Sequence, residues 1–157
     1  MLIKESGQTV EDKGLNLSAE KGGRSSMNNE NVITFEDGIL GFDNLKQYTL
    51  LHVEECRPFL WLVSVDNPRV SFAILNPASY FSDYNPMGSI DVGYLASLGF
   101  SDIKSVETFC IVTLGESATD TTMNLRGPLL IDMKKKIGRQ IVKTEEYYSL
   151  HHPLIRK

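Results

Sequence analysis

Phe59-Leu60-Trp61-Leu62-Val63-Ser64-Val65 is a seven-residue run with one polar member, closed by the turn signal Asp66-Asn67-Pro68. A short run this rich in aromatic and β-branched residues reads as a strand. Its unbroken apolarity, in place of alternation, predicts that both faces are covered and that Trp61 is buried against the sheet wall. Moving outward, Ser71-Phe72-Ala73-Ile74-Leu75 follows the turn and is closed by Asn76-Pro77, with a turn of helix expected over 76–82. On the N-terminal side lie Tyr48–Val53 and Val32-Ile33-Thr34-Phe35, the latter stopped by Asp37-Gly38. On the C-terminal side lie Val106–Leu114, the strand-like stretch 121–125, and a hairpin of Pro128–Met133 and Arg139–Val142-Lys143 around Lys134–Gly138. Strands about 8–12 residues apart with turn residues between them point to an all-β domain. One helix stands out over 91–98, opened by Asp91 as N-cap and ended by Gly99. The fold expected is mainly β: a small antiparallel β-barrel with one or two short helices on its side. Closure removes edges that invite aggregation.

The 157 residues suit one domain. All fourteen aromatics lie between Phe35 and Tyr148, and all six prolines between Pro58 and Pro153. Residues 1–31, punctuated by glycine, serine and asparagine, therefore read as a mobile polar extension, with Met1-Leu2-Ile3 available as a short edge strand. The compact domain is expected over 32–157. No apolar run is long enough for a membrane helix, and no secretory signal opens the chain. Net charge is −4, which disfavours a binder that works by neutralising phosphates. Cys56 and Cys110 are too few for a disulfide scaffold and read as thiols of a reducing, cytoplasmic compartment.

Chemistry-bearing residues do not assemble into a convincing active site. Ser64, Asp66 and His52 have the types of a hydrolytic triad, but Ser64 lies inside the apolar run and not on an exposed, strained turn. Cys56 precedes Arg57 without an identifiable base. The adjacent His151 and His152 point in opposite directions on an extended chain and read as a surface pair. Gly38 and Gly41 lack the third glycine and strand-to-helix setting of a dinucleotide loop, so a tight turn is expected. Lys134, Lys135, Lys136 and Arg139 form the one basic cluster, on a hairpin tip. No metal, cofactor, small-molecule substrate or catalytic role is expected. Recognition is favoured over catalysis.

The order of several blocks resembles the FliW family of bacterial flagellar assembly factors. The blocks are Ile33-Thr34-Phe35-Glu36-Asp37-Gly38-Ile39-Leu40-Gly41-Phe42, then Pro58–Asp66 with Phe72-Ala73-Ile74-Leu75-Asn76-Pro77, then Met123–Asp132 with Gly138-Arg139-Gln140-Ile141-Val142, and finally Tyr148–Leu154. Leu40 stands where the family usually has proline, and Val63 where it has glutamine.

The resemblance implies a small β-barrel without enzymatic activity and two protein partners. One is flagellin, held in the cytoplasm before export. The other is the carbon storage regulator (CsrA), a basic RNA-binding dimer that represses flagellin translation and is antagonised when bound. For flagellin the expected contact is an apolar patch with strand addition, and the candidates are Phe42, Asn67, Tyr80, Tyr84 and Met123. For the regulator they are the acids Glu54, Glu55, Asp120, Glu145 and Glu146. Competing readings are a small barrel that binds RNA directly through stacking aromatics and basic loops, and a hydrolase using Ser64 or Cys56.

Overall fold

The computed structural model describes residues 31–155; the stretch 1–30, with the expected polar extension and Met1-Leu2-Ile3, lies outside the described residues. Nine strands follow in order: β1 Val32–Phe35, β2 Gln47–Leu51, β3 Leu60–Ser64, β4 Ser71–Leu75, β5 Val106–Thr113, β6 Thr122–Met123, β7 Leu129–Asp132, β8 Ile137–Gln140 and β9 His152–Pro153. The sheet runs β4-β3-β2-β1-β8-β7-β5-β6-β9, and β5 also pairs with β4, so seven strands close into a barrel. Every seam is antiparallel except β1–β8, which runs parallel through Thr34↔Ile137 and Phe35↔Gly138.

β5 is the longest strand, and its length explains the branch. Val106–Phe109 pair with β7, Val112 and Thr113 pair with β6, and Cys110–Val112 pair with β4. β6 and β9 therefore continue the sheet outside the barrel. The sheet ends at β9, where Leu154 N donates to Thr121 O (3.1 Å) across the last pairing.

Strand periodicity sorts the apolar residues into two packed faces. Ile33, Phe35, Tyr48, Leu62, Phe72, Ile74, Phe109, Ile111, Leu129 and Ile131 fill the interior. Phe35 meets Tyr48 edge-on at 5.4 Å, and Phe42 meets Phe72 edge-on at 5.2 Å. Gly138 makes room for the Phe35 ring, because a Cβ there would collide with it. The alternate residues Trp61, Val63, Ala73, Leu75, Cys110 and Val112 point outward into a second cluster, covered by Tyr84, Met123 and Leu125 and flanked by Phe81, Tyr148 and Leu154. Both faces of β3 are covered, as its continuous apolarity implies, and Trp61 is only 4% exposed.

The helix α1 spans Val92–Ser97. Asp91 Oδ2 accepts from Tyr94 N, and Gly99 follows at φ +103°. Its Leu95 packs with Phe100, Val106 and Leu130 in a third cluster. The expected turn of helix is a 3-10 turn over Pro77–Ser79, capped by Asn76.

Two expectations shift. The hairpin turn is Met133–Lys136, so β8 starts at Ile137 instead of at Arg139. Asp132 Oδ1 accepts from Lys134 N and Lys135 N, and Lys136 closes the turn at φ +59°, which sets the register earlier. The strand expected over 121–125 shortens to two residues, because Asn124 Oδ1 takes the Arg126 and Gly127 amides and turns the chain.

Candidate protein-interaction surface

Of the residues suspected of chemistry, Ser64 and Asp66 are engaged in holding turns. Ser64 is buried, and its Oγ accepts from Asn67 N (2.9 Å), which shapes the β3–β4 turn. Asp66 Oδ2 accepts from the Lys46 and Gln47 amides (2.9 and 3.1 Å) at the start of β2. His52 is exposed beside a depression of about 270 Å³ over the β2–β3 connection, where Glu54 pairs with Arg57 (3.0 Å). Cys56 ends a 3-10 turn with its side chain half-buried, while burial pushes the Cys110 thiol up to about 12. His152 stacks on Phe81 at 4.9 Å. Among the described residues no group of three His, Cys, Asp or Glu is placed to hold a metal. Gly38 and Gly41 sit at φ +71° and +89° in a tight turn that buries Ile39 and exposes Leu40.

Three of the four cations of the basic cluster are engaged within the molecule. Lys135 Nζ donates to Gly99 O (3.1 Å) and Ser101 Oγ (2.7 Å), and Lys134 Nζ lies 3.8 Å from Asp102. Arg139 bonds Glu36 (3.1 Å) and Asp37, clamping the β1–β8 seam with a side chain that is only 16% exposed. Lys134 stays largely solvated, and Lys136 is half-buried with no side-chain partner among the described residues.

The ten candidate contact residues divide by burial. Tyr84 and Met123 lie in the outer cluster, and the Tyr84 hydroxyl donates to Leu125 O (2.6 Å) inside it. Phe42 is half-buried against Phe72. Asn67 and Tyr80 are exposed on turns. Glu54 and Glu55 lie on an exposed 3-10 turn, and Asp120, on another, accepts from Ser117 Oγ (3.1 Å). Glu145 and Glu146 share one turn, closed by Tyr148 N donating to Glu145 O (3.1 Å).

That last turn rests on residues the sequence reading passed over. Lys143 is 6% exposed; its Nζ reaches Glu145 Oε1 (3.1 Å), Ser89 Oγ (2.7 Å) and Pro86 O (3.3 Å). Its backbone N donates to Arg126 O (2.7 Å). A backbone hydrogen bond, reinforced by Lys143, holds the Glu145 carboxyl below its ordinary value. On the other side, Tyr148 meets Tyr84 edge-on at 5.1 Å. Between these anchors Glu146 and Tyr147 project outward, with Tyr147 74% exposed. The signal available in sequence was the pairing Glu145-Glu146-Tyr147-Tyr148, two acids against two aromatics, before a proline-terminated segment.

Comparison with known proteins places this architecture. The family model described as FliW protein matches residues 16–154. A flagellar assembly factor FliW of Clostridium beijerinckii is 34% identical over 133 residues, covering 85% of this chain and 93% of that protein. Its counterpart in Caldanaerobacter subterraneus subsp. tengcongensis is 32% identical over 144 residues, covering 91% and 95%. A crystal structure of the flagellar assembly factor FliW superposes with a TM-score of 0.76 at 33% identity, over 83% of this chain and 90% of that one. The closed seven-strand barrel, its outer β6–β9 flap and the extent of these matches lead to one assignment: the chain belongs to the FliW family of flagellar assembly factors.

Proposed function

We propose that the protein is a non-enzymatic, cytoplasmic regulator that binds flagellin before export, in the manner of a chaperone. We propose also that it binds the carbon storage regulator and so relieves repression of flagellin translation. The observation that carries this reading over direct RNA binding is the fate of the basic cluster. Nucleic-acid affinity rises with the number of phosphates neutralised. Here Lys135 and Arg139 have internal partners and Lys134 lies beside Asp102, which leaves Lys136 as the one member of the cluster without a side-chain partner among the described residues, on a chain of net charge −4. A protein of this charge steers toward a basic protein surface, with an association rate that falls as salt rises. Apolar side chains left exposed on a closed barrel, among them Leu40, Tyr80, Val142 and Leu150, supply contact area for an export-competent partner.

The test is calorimetric titration of the purified full chain with flagellin, with the carbon storage regulator, and with a flagellin leader RNA. Binding to both proteins and none to the RNA is expected. Tight, salt-sensitive RNA binding without the regulator would replace this reading with the RNA-binding barrel.

A further inference from the structure

The turn Glu145–Tyr148 combines features that folding alone does not require. Both of its ends are fixed: Lys143 is buried with three partners for its ammonium, and the Tyr148 ring is packed on Tyr84. Its tip carries a large aromatic, Tyr147, which is 74% exposed and touches Tyr148 at a ring separation of 4.5 Å. An exposed ring held on a hydrogen-bonded turn is already ordered, so a partner that covers it meets little further ordering cost. Tyrosines in such settings act as rigid contact anchors.

Charge selects the partner. From Thr144 to Leu154 the chain carries Glu145 and Glu146 and no lysine or arginine. Lys143 is spent on Glu145, Ser89 and Pro86, which leaves Glu146 exposed and without an ion-pair partner among the described residues. A negative charge beside an open aromatic face attracts a guanidinium or ammonium, which gains from the ring quadrupole and the carboxylate together. Leu150, half exposed just beyond the turn, adds an apolar contact for the stem of such a side chain.

We propose that this turn is a docking site for an arginine- or lysine-bearing segment of the carbon storage regulator, with the cation stacked on Tyr147 and paired to Glu146. The proposal rests on the regulator-binding reading above and assigns it a place. The acids Glu54 and Glu55 lack an exposed aromatic, and Glu54 already pairs with Arg57, so they are peripheral to the contact.

The test is titration of the full-length chain with purified regulator at two salt concentrations, beside an identical titration with flagellin. Tyr147→Ala and Glu146→Gln are each expected to weaken regulator binding about tenfold, the scale of a desolvated cation–aromatic or charge-pair anchor. Tyr147→Phe keeps the ring face and should bind within about twofold of wild type, and Glu54→Gln with Glu55→Gln should do the same. Unchanged melting curves exclude a folding origin. If the wild-type chain binds and the Tyr147→Ala and Glu146→Gln variants bind equally well, the site is overturned while the functional reading stands. If those variants lose flagellin and keep the regulator, the turn belongs to flagellin and the proposal is wrong. A wild-type chain that does not bind the regulator removes the reading and the proposal together.

Discussion

The barrel interior and the outer cluster bury similar kinds of side chain by different means. Inside, Ile33, Leu62, Phe72, Ile74 and Ile111 come from regular strands, and each faces inward because its neighbours face out. Outside, the cover over Trp61, Cys110 and Val112 comes largely from irregular chain: Tyr84, Leu125, Tyr148 and Leu154. Irregular chain brings backbone groups that no ladder satisfies, so it is held by single bonds such as Tyr84 to Leu125 O and Lys143 to Pro86 O. A periodic core spreads its stability over many equivalent contacts, whereas an irregular cover concentrates it in a few polar links.

Five substitutions probe that contrast, the last through its pH dependence. The largest effect is expected at Phe72→Ala, which opens a cavity between Phe42 and Tyr48 and should cost about 3–5 kcal/mol in urea unfolding, with one cooperative transition. Lys143→Ala should cost about 1–3 kcal/mol, because it leaves the buried Pro86 carbonyl without that donor. Its mark is regional: amide exchange should accelerate over 141–155 while β3, β4 and β5 stay protected. Uniform acceleration would show that cover and barrel form one cooperative unit and would break the comparison. Tyr84→Phe removes a single buried donor and should cost about 1 kcal/mol, again with the exchange change confined to the cover.

The smallest stability effects belong to charge pairs with a solvated partner. Arg139→Gln should shift stability by less than about 1 kcal/mol, since Glu36 and Asp37 remain largely solvated. Glu145 has a folded-state pKa below its unfolded value. Its contribution is therefore fully present above the ordinary carboxylate range and is lost as pH falls through the lower folded value. Glu145→Gln should flatten that part of the stability–pH curve, measured as midpoint shifts in urea between neutral and acid pH.

The contrast also explains what could be read from the chain. The inner core was legible because period-two placement and short apolar runs depend only on local chemistry, as Phe59–Val65 and Val106–Leu114 show. The helix at 92–97 was legible through Asp91 and Gly99. The β8 register was not, because it turns on a positive φ at Lys136 and on the Asp132 side chain, neither of which hydrophobic pattern encodes. The turn proposed as a docking site was legible only in part. Glu145 and Glu146 could be picked by charge, but burial of Lys143 runs against the usual solvation of lysine, and only contacts 54 to 57 residues away reveal it. Tyr84 and Met123 looked like contact residues because turn-flanking aromatics and methionines serve surfaces and cores alike; the structure uses both inside. The internal partners of Lys134, Lys135 and Arg139 were not legible, because Gly99, Ser101, Asp102 and Glu36 are distant in sequence.

The strand at the end of the sheet governs how copies of the molecule treat one another. Among the described residues the strand order ends at β9, two residues long, and Leu154 has turned its amide toward β6. Alternation sends the preceding amide position outward, and that position is Pro153, which has no hydrogen to give. A foreign strand arriving there finds no donor at the centre of a very short template. Among the described residues this edge is a poor seed for sheet growth, so crowding alone does not draw copies into fibrils through it. The same missing donor disfavours capture of an extended chain by backbone pairing at β9, and leaves recognition there to side chains such as Tyr147 and Leu150.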